Sequence, residues 1–264
     1  MAEIVQLHYV ERGEGLPVVL LHGFPFDHRI WEPAAEALSD TYRVIAPDLR
    51  GHGQSPAPEG VYTMDALAGD VLALLDELKI ERAVWIGHSM GGYITMAALR
   101  IAPGRIAGVG LVATHPFADS PEKQRDRIAS AKKALERGSE AVVSGMVNGL
   151  FAPGTDLESE PVQRIRQIMV NTPREGVAGA LEAMAGRPDS VETLRDAAIP
   201  MVLIAGAQDQ IVGPDMIETM AKTLPKLRRV PIDGAGHMPM IEQPDALTAA
   251  LREFLQRNQN LISV

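Results

Sequence analysis

The sequence predicts an α/β fold, a mostly parallel sheet with helices on both faces and a helical lid inserted into it. Three observations predict this. Short apolar runs alternate with helical patterns, a Gly-x-Ser-x-Gly turn follows one of those runs, and one long stretch breaks the alternation.

The apolar runs come first. Residues 18–21, 44–46, 83–86, 109–112 and 201–204 are continuously apolar rather than alternating. That character belongs to parallel strands covered on both faces. Residues 228–232 are shorter and more polar, as suits a strand nearer an edge. Between these runs lie helical periods. Met64, Leu67, Val71, Leu74, Leu75 and Leu78 recur at spacings that make one apolar stripe, with Thr63 placed to cap it. Residues 90–101 are Ala-rich and stop at Pro103 and Gly104. Residues 243–256 close the chain with Leu247, Leu251, Phe254 and Leu255 on one side. Strands alternating with helices imply right-handed crossovers and a parallel sheet.

The alternation fails between His115 and about Asp196. Four helical segments, 122–137, 140–151, 161–171 and 174–185, are separated there by Gly and Pro. A connection this long has a functional reason more often than not. Residues 1–114 and 196–264 are therefore expected to form the core, and 115–195 a lid over the sheet edge.

Composition excludes several classes. The 264 residues hold 34 acidic and 25 basic side chains, a net charge of −9. A nucleic-acid surface needs basic clusters, so that partner is not expected. The densest basic run, residues 125–133, reads as a solvated helix face. Cysteine is absent, which rules out disulfides, thiolate catalysis and Cys-based zinc sites. No cofactor or metal is expected. Residues 1–9 lack a signal-peptide pattern, and no apolar run approaches the ~20 residues of a membrane span. A cytoplasmic location without membrane contact is expected, and oligomeric state is not readable.

The chemistry centres on Gly87-His88-Ser89-Met90-Gly91-Gly92, which follows a strand and opens a helix. A tight turn there strains the central residue and lifts its hydroxyl clear of the sheet. Gly87 and Gly91 permit the close backbone approach. A serine hydroxyl needs a base, and the base needs an orienting carboxylate. His237, in Gly236-His237-Met238 after the last strand, is the expected base. Asp209, in Gly206-Ala207-Gln208-Asp209, is the expected carboxylate, with Asp119 the main rival and Asp233 a weaker one. Backbone N–H groups of Phe24 and Met90 are the expected oxyanion donors.

These motifs, with His22-Gly23-Phe24-Pro25 and the run from Asp48 to Ser55, resemble the α/β-hydrolase fold family, in its serine carboxylesterase, enol-lactonase and haloperoxidase-like branch. The resemblance covers nearly the whole chain except the lid. It implies an eight-stranded sheet, with two strands before Pro17, of which residues 6–11 are the visible candidate. It also implies a serine hydrolase for small esters or lactones. The Asp48-to-Ser55 segment reads as a structural turn with Arg50 paired internally, and Glu242 as a helix-start carboxylate. Phe117, Met146, Phe151 and Met169 are candidate pocket residues of the lid.

Alternatives share the fold. A cofactor-free perhydrolase would use the same triad with peroxide. Epoxide and haloalkane hydrolases of this fold need an Asp nucleophile, where this chain has Ser89. A hydroxynitrile lyase would want a cation where Met238 stands. A small-molecule receptor retaining the triad is the non-enzyme reading. Apolar residues about the motifs (Phe24, Phe26, Met90, Ile211, Val212 and Met238) favour a neutral, apolar acyl group. A dicarboxylate lactone would require Arg125, Arg127 or Arg166 to turn inward.

Overall fold

The structure is a computed structural model and describes residues 3–262. Its centre is a seven-stranded sheet ordered β1-β3-β2-β4-β5-β6-β7. The strands are β1 (Tyr9–Arg12), β2 (Leu16–Leu21), β3 (Tyr42–Pro47), β4 (Ala83–His88), β5 (Ile106–Val112), β6 (Met201–Gly206) and β7 (Arg228–Ile232). β1 runs antiparallel to β3 and every other pairing is parallel.

Every residue of β4 and β5 is buried. Successive side chains of a strand point to opposite faces, so burial of both sets means cover on both. One pair of packed helices is α1 (Glu32–Leu38) on the late helix 244–257; another is α2 (Met64–Glu77) on α3 (Met90–Ile101). Thr63 caps α2 as expected, its hydroxyl accepting from Ala66 N at 3.0 Å. β1 and β7 are the edge strands, and the Pro231 of β7 is a residue that edges tolerate.

The sheet has seven strands among the described residues, not the eight that the resemblance implied. One strand, β1, precedes Pro17 apart from β2 itself, and it begins at Tyr9 rather than Gln6. Two backbone donors upstream are spent on side chains. Val5 N donates to Asp70 Oδ1 and His8 N to Ser55 Oγ, both at 2.9 Å. A segment whose N–H groups are taken this way does not extend a ladder.

Between β5 and β6 the chain is helical: α4 (Pro121–Arg137), α5 (Glu140–Val143), α6 (Val147–Leu150), α7 (Glu160–Asn171), α8 (Arg174–Ala185) and α9 (Val191–Asp196). The single helix expected over 140–151 is instead two short ones around a 3₁₀ turn, Ser144–Met146. Gly145 and Gly149 weaken helix in this stretch. α4 packs on α8. Met169 and Phe151 are fully buried in the core, and Met146 packs against it half-buried. The last helices are α10 (Pro214–Thr223), α11 (Pro239–Glu242), α12 (Pro244–Arg257) and α13 (Gln259–Ile262).

Candidate active site

Ser89 sits in the turn from β4 into α3 with φ +48° and ψ −111°. Positive φ is costly for a residue with a Cβ, and such strain gathers at functional positions. The turn is held from β5 and the residues after it. Ser89 N donates to Val112 O at 2.9 Å, and the Thr114 hydroxyl donates to Ser89 O at 2.8 Å. Gly87 makes the turn possible, because a Cβ there would lie 2.3 Å from the Gly91 backbone.

The loops after β6 and β7 bring two more side chains to the same sheet edge. His237 Nε2 lies 3.0 Å from Ser89 Oγ, and His237 Nδ1 lies 2.8 Å from Asp209 Oδ2. A carboxylate only accepts, so Nδ1 carries the hydrogen and Nε2 is left to receive one. Asp209 Oδ1 accepts from Ile211 N and Val212 N, at 2.7 and 2.9 Å. Burial alone would raise the Asp209 carboxyl, but the His237 hydrogen bond and these amides hold it below the usual range. Asp209 and His237 are nearly inaccessible, at 2% and 3% exposure.

The loop after β2 lies against the turn. A Cβ built on Gly23 would fall 3.1 Å from Ser89 Cβ, which sets Phe24 beside the serine. Met90 is the first residue of α3, a position whose N–H has no acceptor within the helix.

The rivals are occupied elsewhere. Asp119 is paired with Arg127 at 2.5 Å and Arg187 at 2.8 Å, and Asp233 is exposed. His22 accepts from Leu49 N through Nε2, and His52 bonds to Arg50 O. Arg50 forms the expected internal pair, with Asp70 at 2.7 Å. His8 Nδ1 and His28 Nδ1 both bond to Asp48, at 2.9 and 2.7 Å, and these three residues have metal-ligating atoms close together. Asp48 also accepts from His28 N and Gln54 N, so its oxygens are already committed to a hydrogen-bonded knot.

Two features went unread in the sequence, and a third was left open there among three arginines. His88 donates Nε2–H to the His237 carbonyl at 2.9 Å; burial first, and then His237, push its pKa down to about 3, so it is neutral. Glu242 is more than a helix-start carboxylate. It accepts from Gly236 N at 2.8 Å and from Ala152 N at 2.6 Å, tying the His237 loop to the segment after α6. Burial pushes its carboxyl above the ordinary range despite those bonds. Finally, Arg127 leaves the solvated face of α4 and turns to Asp119, while Arg125 stays exposed. Only Glu242's spacing from Gly236 offered any sequence signal, and that spacing is common.

Known proteins bear on this geometry. A family model described as the alpha/beta hydrolase fold matches residues 17–244. Among solved structures, a thermophilic esterase from Thermogutta terrifontis, with malate bound, is 39% identical and superposes with a TM-score of 0.92, covering 96% of this chain and 94% of that one. The enol-lactonase from Burkholderia xenovorans LB400 is 34% identical with a TM-score of 0.87, covering 96% and 97%. Epoxide hydrolase A of Mycobacterium tuberculosis is 31% identical over 95% of this chain and 94% of its own length. Relatives named for different chemistry thus stand at similar distances, while the family model spans most of the chain: the chain belongs to the α/β-hydrolase fold family.

Proposed function

We propose that this chain is a serine hydrolase that cleaves carboxylic esters or lactones through an acyl-enzyme on Ser89. The observation that carries the reading is the unbroken relay from Ser89 Oγ to His237 Nε2 at 3.0 Å, and from His237 Nδ1 to Asp209 at 2.8 Å.

The chemistry follows from the atoms. His237 Nε2 takes the Ser89 proton as Oγ attacks the carbonyl carbon. Negative charge moves to the carbonyl oxygen, where Phe24 N–H and Met90 N–H are the proposed donors. The tetrahedral species collapses, and the imidazolium gives its proton to the leaving alkoxide. In a lactone that alcohol stays tethered to the acyl group. Water then loses a proton to His237 and attacks the acyl carbon, which releases the acid and restores Ser89. Asp209 stays ionised and stabilises the imidazolium; its depressed pKa supports that role. A serine at the turn, in place of a carboxylate, favours this acyl route over the epoxide chemistry named for one relative. The helices between β5 and β6 act as the lid, and the substrate is a small molecule.

Two measurements test the reading. A fluorophosphonate should modify the protein once, at Ser89, by peptide mass. Ser89→Ala should lose on the order of 10⁴ or more in kcat on p-nitrophenyl butyrate, by analogy with other triads. Equal rates for the two proteins would overturn the assignment.

A further inference from the structure

Three separate stretches of chain meet at Asp48. Among the described residues, one group of three side chains holds metal-ligating atoms within 4.8 Å of one another: His8, just before β1, His28, in the segment after β2, and Asp48, just after β3. Backbone bonds set them there. Asp48 N donates to His8 O at 2.8 Å, and His28 N donates to Asp48 Oδ1 at 2.9 Å. His8 N donates to Ser55 Oγ at 2.9 Å, and the Ser55 hydroxyl donates to Asp48 O at 2.6 Å. Ligand atoms oriented in advance by their surroundings are what a metal site requires.

Each Asp48 oxygen takes donors of two kinds. Oδ1 accepts from His28 N and faces His28 Nδ1 at 2.7 Å; Oδ2 accepts from Gln54 N and faces His8 Nδ1 at 2.9 Å. The backbone donors are fixed, but an imidazole can carry its hydrogen on Nε2 instead and free the Nδ1 lone pair. Both rings then aim a ligand atom at the carboxylate. An ion about 2.1 Å from each of two nitrogens holds them at most about 4.2 Å apart. The ligating atoms here lie within 4.8 Å, so a shift of about 0.3 Å in each ring, at most, admits the ion. His8 is 32% exposed and His28 12%, so the site is reached from solvent. It also adjoins a cavity of about 290 Å³ lined by Asp27, His28, Asp48 and Gln54, which has room for water as a further ligand. Arg29 lines the same cavity and is neutralised by Asp27 at 2.6 Å.

We propose that His8 Nδ1, His28 Nδ1 and the Asp48 carboxylate form a binding site for a divalent transition-metal ion of the zinc class, with water completing the shell. The donor set decides the class. Two imidazoles and a carboxylate suit zinc and its neighbours, whereas calcium and magnesium take oxygen ligands. The absence of cysteine excludes thiolate sites and has no bearing on this one. A neutral ring changes tautomer as the ion binds, and a charged ring releases one proton to water. His28 N and Gln54 N go on donating to Asp48 and keep the carboxylate oriented. The net charge of −9 favours the approach of a cation. Once bound, the ion pins the residues before β1 and the segment after β2 to the turn after β3. It takes no part in bond making at Ser89.

The experiment titrates untagged protein, stripped with EDTA and dialysed, with zinc chloride in a calorimeter at neutral pH. Wild type should bind one zinc ion per chain, and calcium chloride should give no saturable heat. His8→Asn and His28→Asn each set an amide donor near the Nδ1 position, which keeps a hydrogen bond to Asp48 and removes the ligand. Each should weaken zinc binding by about a hundredfold. His237→Ala should leave it unchanged, because zinc held at the triad would be lost there instead. X-ray absorption at the zinc edge of the loaded wild type should show two imidazole nitrogens. No saturable zinc binding overturns the site. So does an affinity unchanged in either asparagine variant, a loss in His237→Ala, or calcium binding equal to that of zinc. If the asparagine variants fail to fold, the absorption spectrum of wild type decides: two imidazoles support the site and fewer overturn it.

Discussion

Glu242 Oε2 accepts the N–H of Gly236, the residue before His237, at 2.8 Å, and Oε1 accepts the N–H of Ala152 at 2.6 Å. The same junction is closed by His237 N donating to Leu150 O at 2.8 Å. One carboxylate thus positions the loop of the proposed base against the helices between β5 and β6. Glu242→Ala leaves two backbone donors without their acceptor, a loss of about 1–3 kcal/mol when such groups are buried. The variant should unfold at lower urea and show a reduced kcat on p-nitrophenyl butyrate. If kcat is unchanged while stability falls, the contact serves the fold alone.

Asp209→Asn tests the tautomer argument. An amide can turn its NH₂ toward His237 Nδ1 and so favour hydrogen on Nε2, the nitrogen that must receive the serine proton. The equivalent change in a serine protease costs about 10⁴ in kcat. A loss of about 10³–10⁴ in kcat with a native circular-dichroism spectrum is expected here. A loss below tenfold would mean that Asp209 does not orient the imidazole.

Much of this site was legible in the sequence because its parts are local. Ser89 and Asp209 each follow a buried apolar run, His237 follows the more polar β7, all three stand among glycines, and a parallel sheet delivers such loops to one edge. The strands β2 to β6 were legible for the same reason, as continuous apolar stretches, and β7 as a shorter, more polar run nearer an edge. What was hidden depends on contacts between distant residues. Val5 donates to a side chain 65 positions away, which ends the ladder before β1. Glu242 and Ala152 are 90 positions apart. Arg127 was one of three arginines the sequence left open to turning inward, and no local period set it apart from Arg125 until Asp119 and Arg187 were placed beside it.

Stability should fall early on acidification. His52 and His88 are buried, and burial pushes each pKa down to about 3. Unfolded, each takes a proton below about pH 6.5. Below that pH the unfolded chain therefore binds more protons than the native one, and stability is lost as pH drops from 6.5 toward 3. The slope is about 1.4 kcal/mol per pH unit for each histidine. Urea unfolding at pH 7.5, 6.0 and 5.0 should show a steady decline that begins near pH 6.5. A flat profile down to pH 5 would contradict the neutral, buried assignment of both rings.

Asp48 is the acceptor at the centre of a buried hydrogen-bonded knot. It is fully buried and takes hydrogen bonds from His8, His28 and Gln54. Burial alone would raise its carboxyl, but these donors outweigh that and hold it well below the usual range. Its stabilisation is thus present at neutral pH and is lost only as pH falls below the ordinary carboxylate range. Asp48→Asn presents an NH₂ group to a site that offers only donors. Removing one member of a buried charged cluster costs about 3–5 kcal/mol. At roughly 2–4 °C per kcal/mol for a chain of this size, the melting temperature should drop by roughly 10 °C. Asp76→Asn is the control: Asp76 is 67% exposed and paired with Arg105, and a surface change of that kind stays within about 0.5 kcal/mol. Equal melting temperatures for the two variants would show that the knot around Asp48 contributes no more than a surface pair.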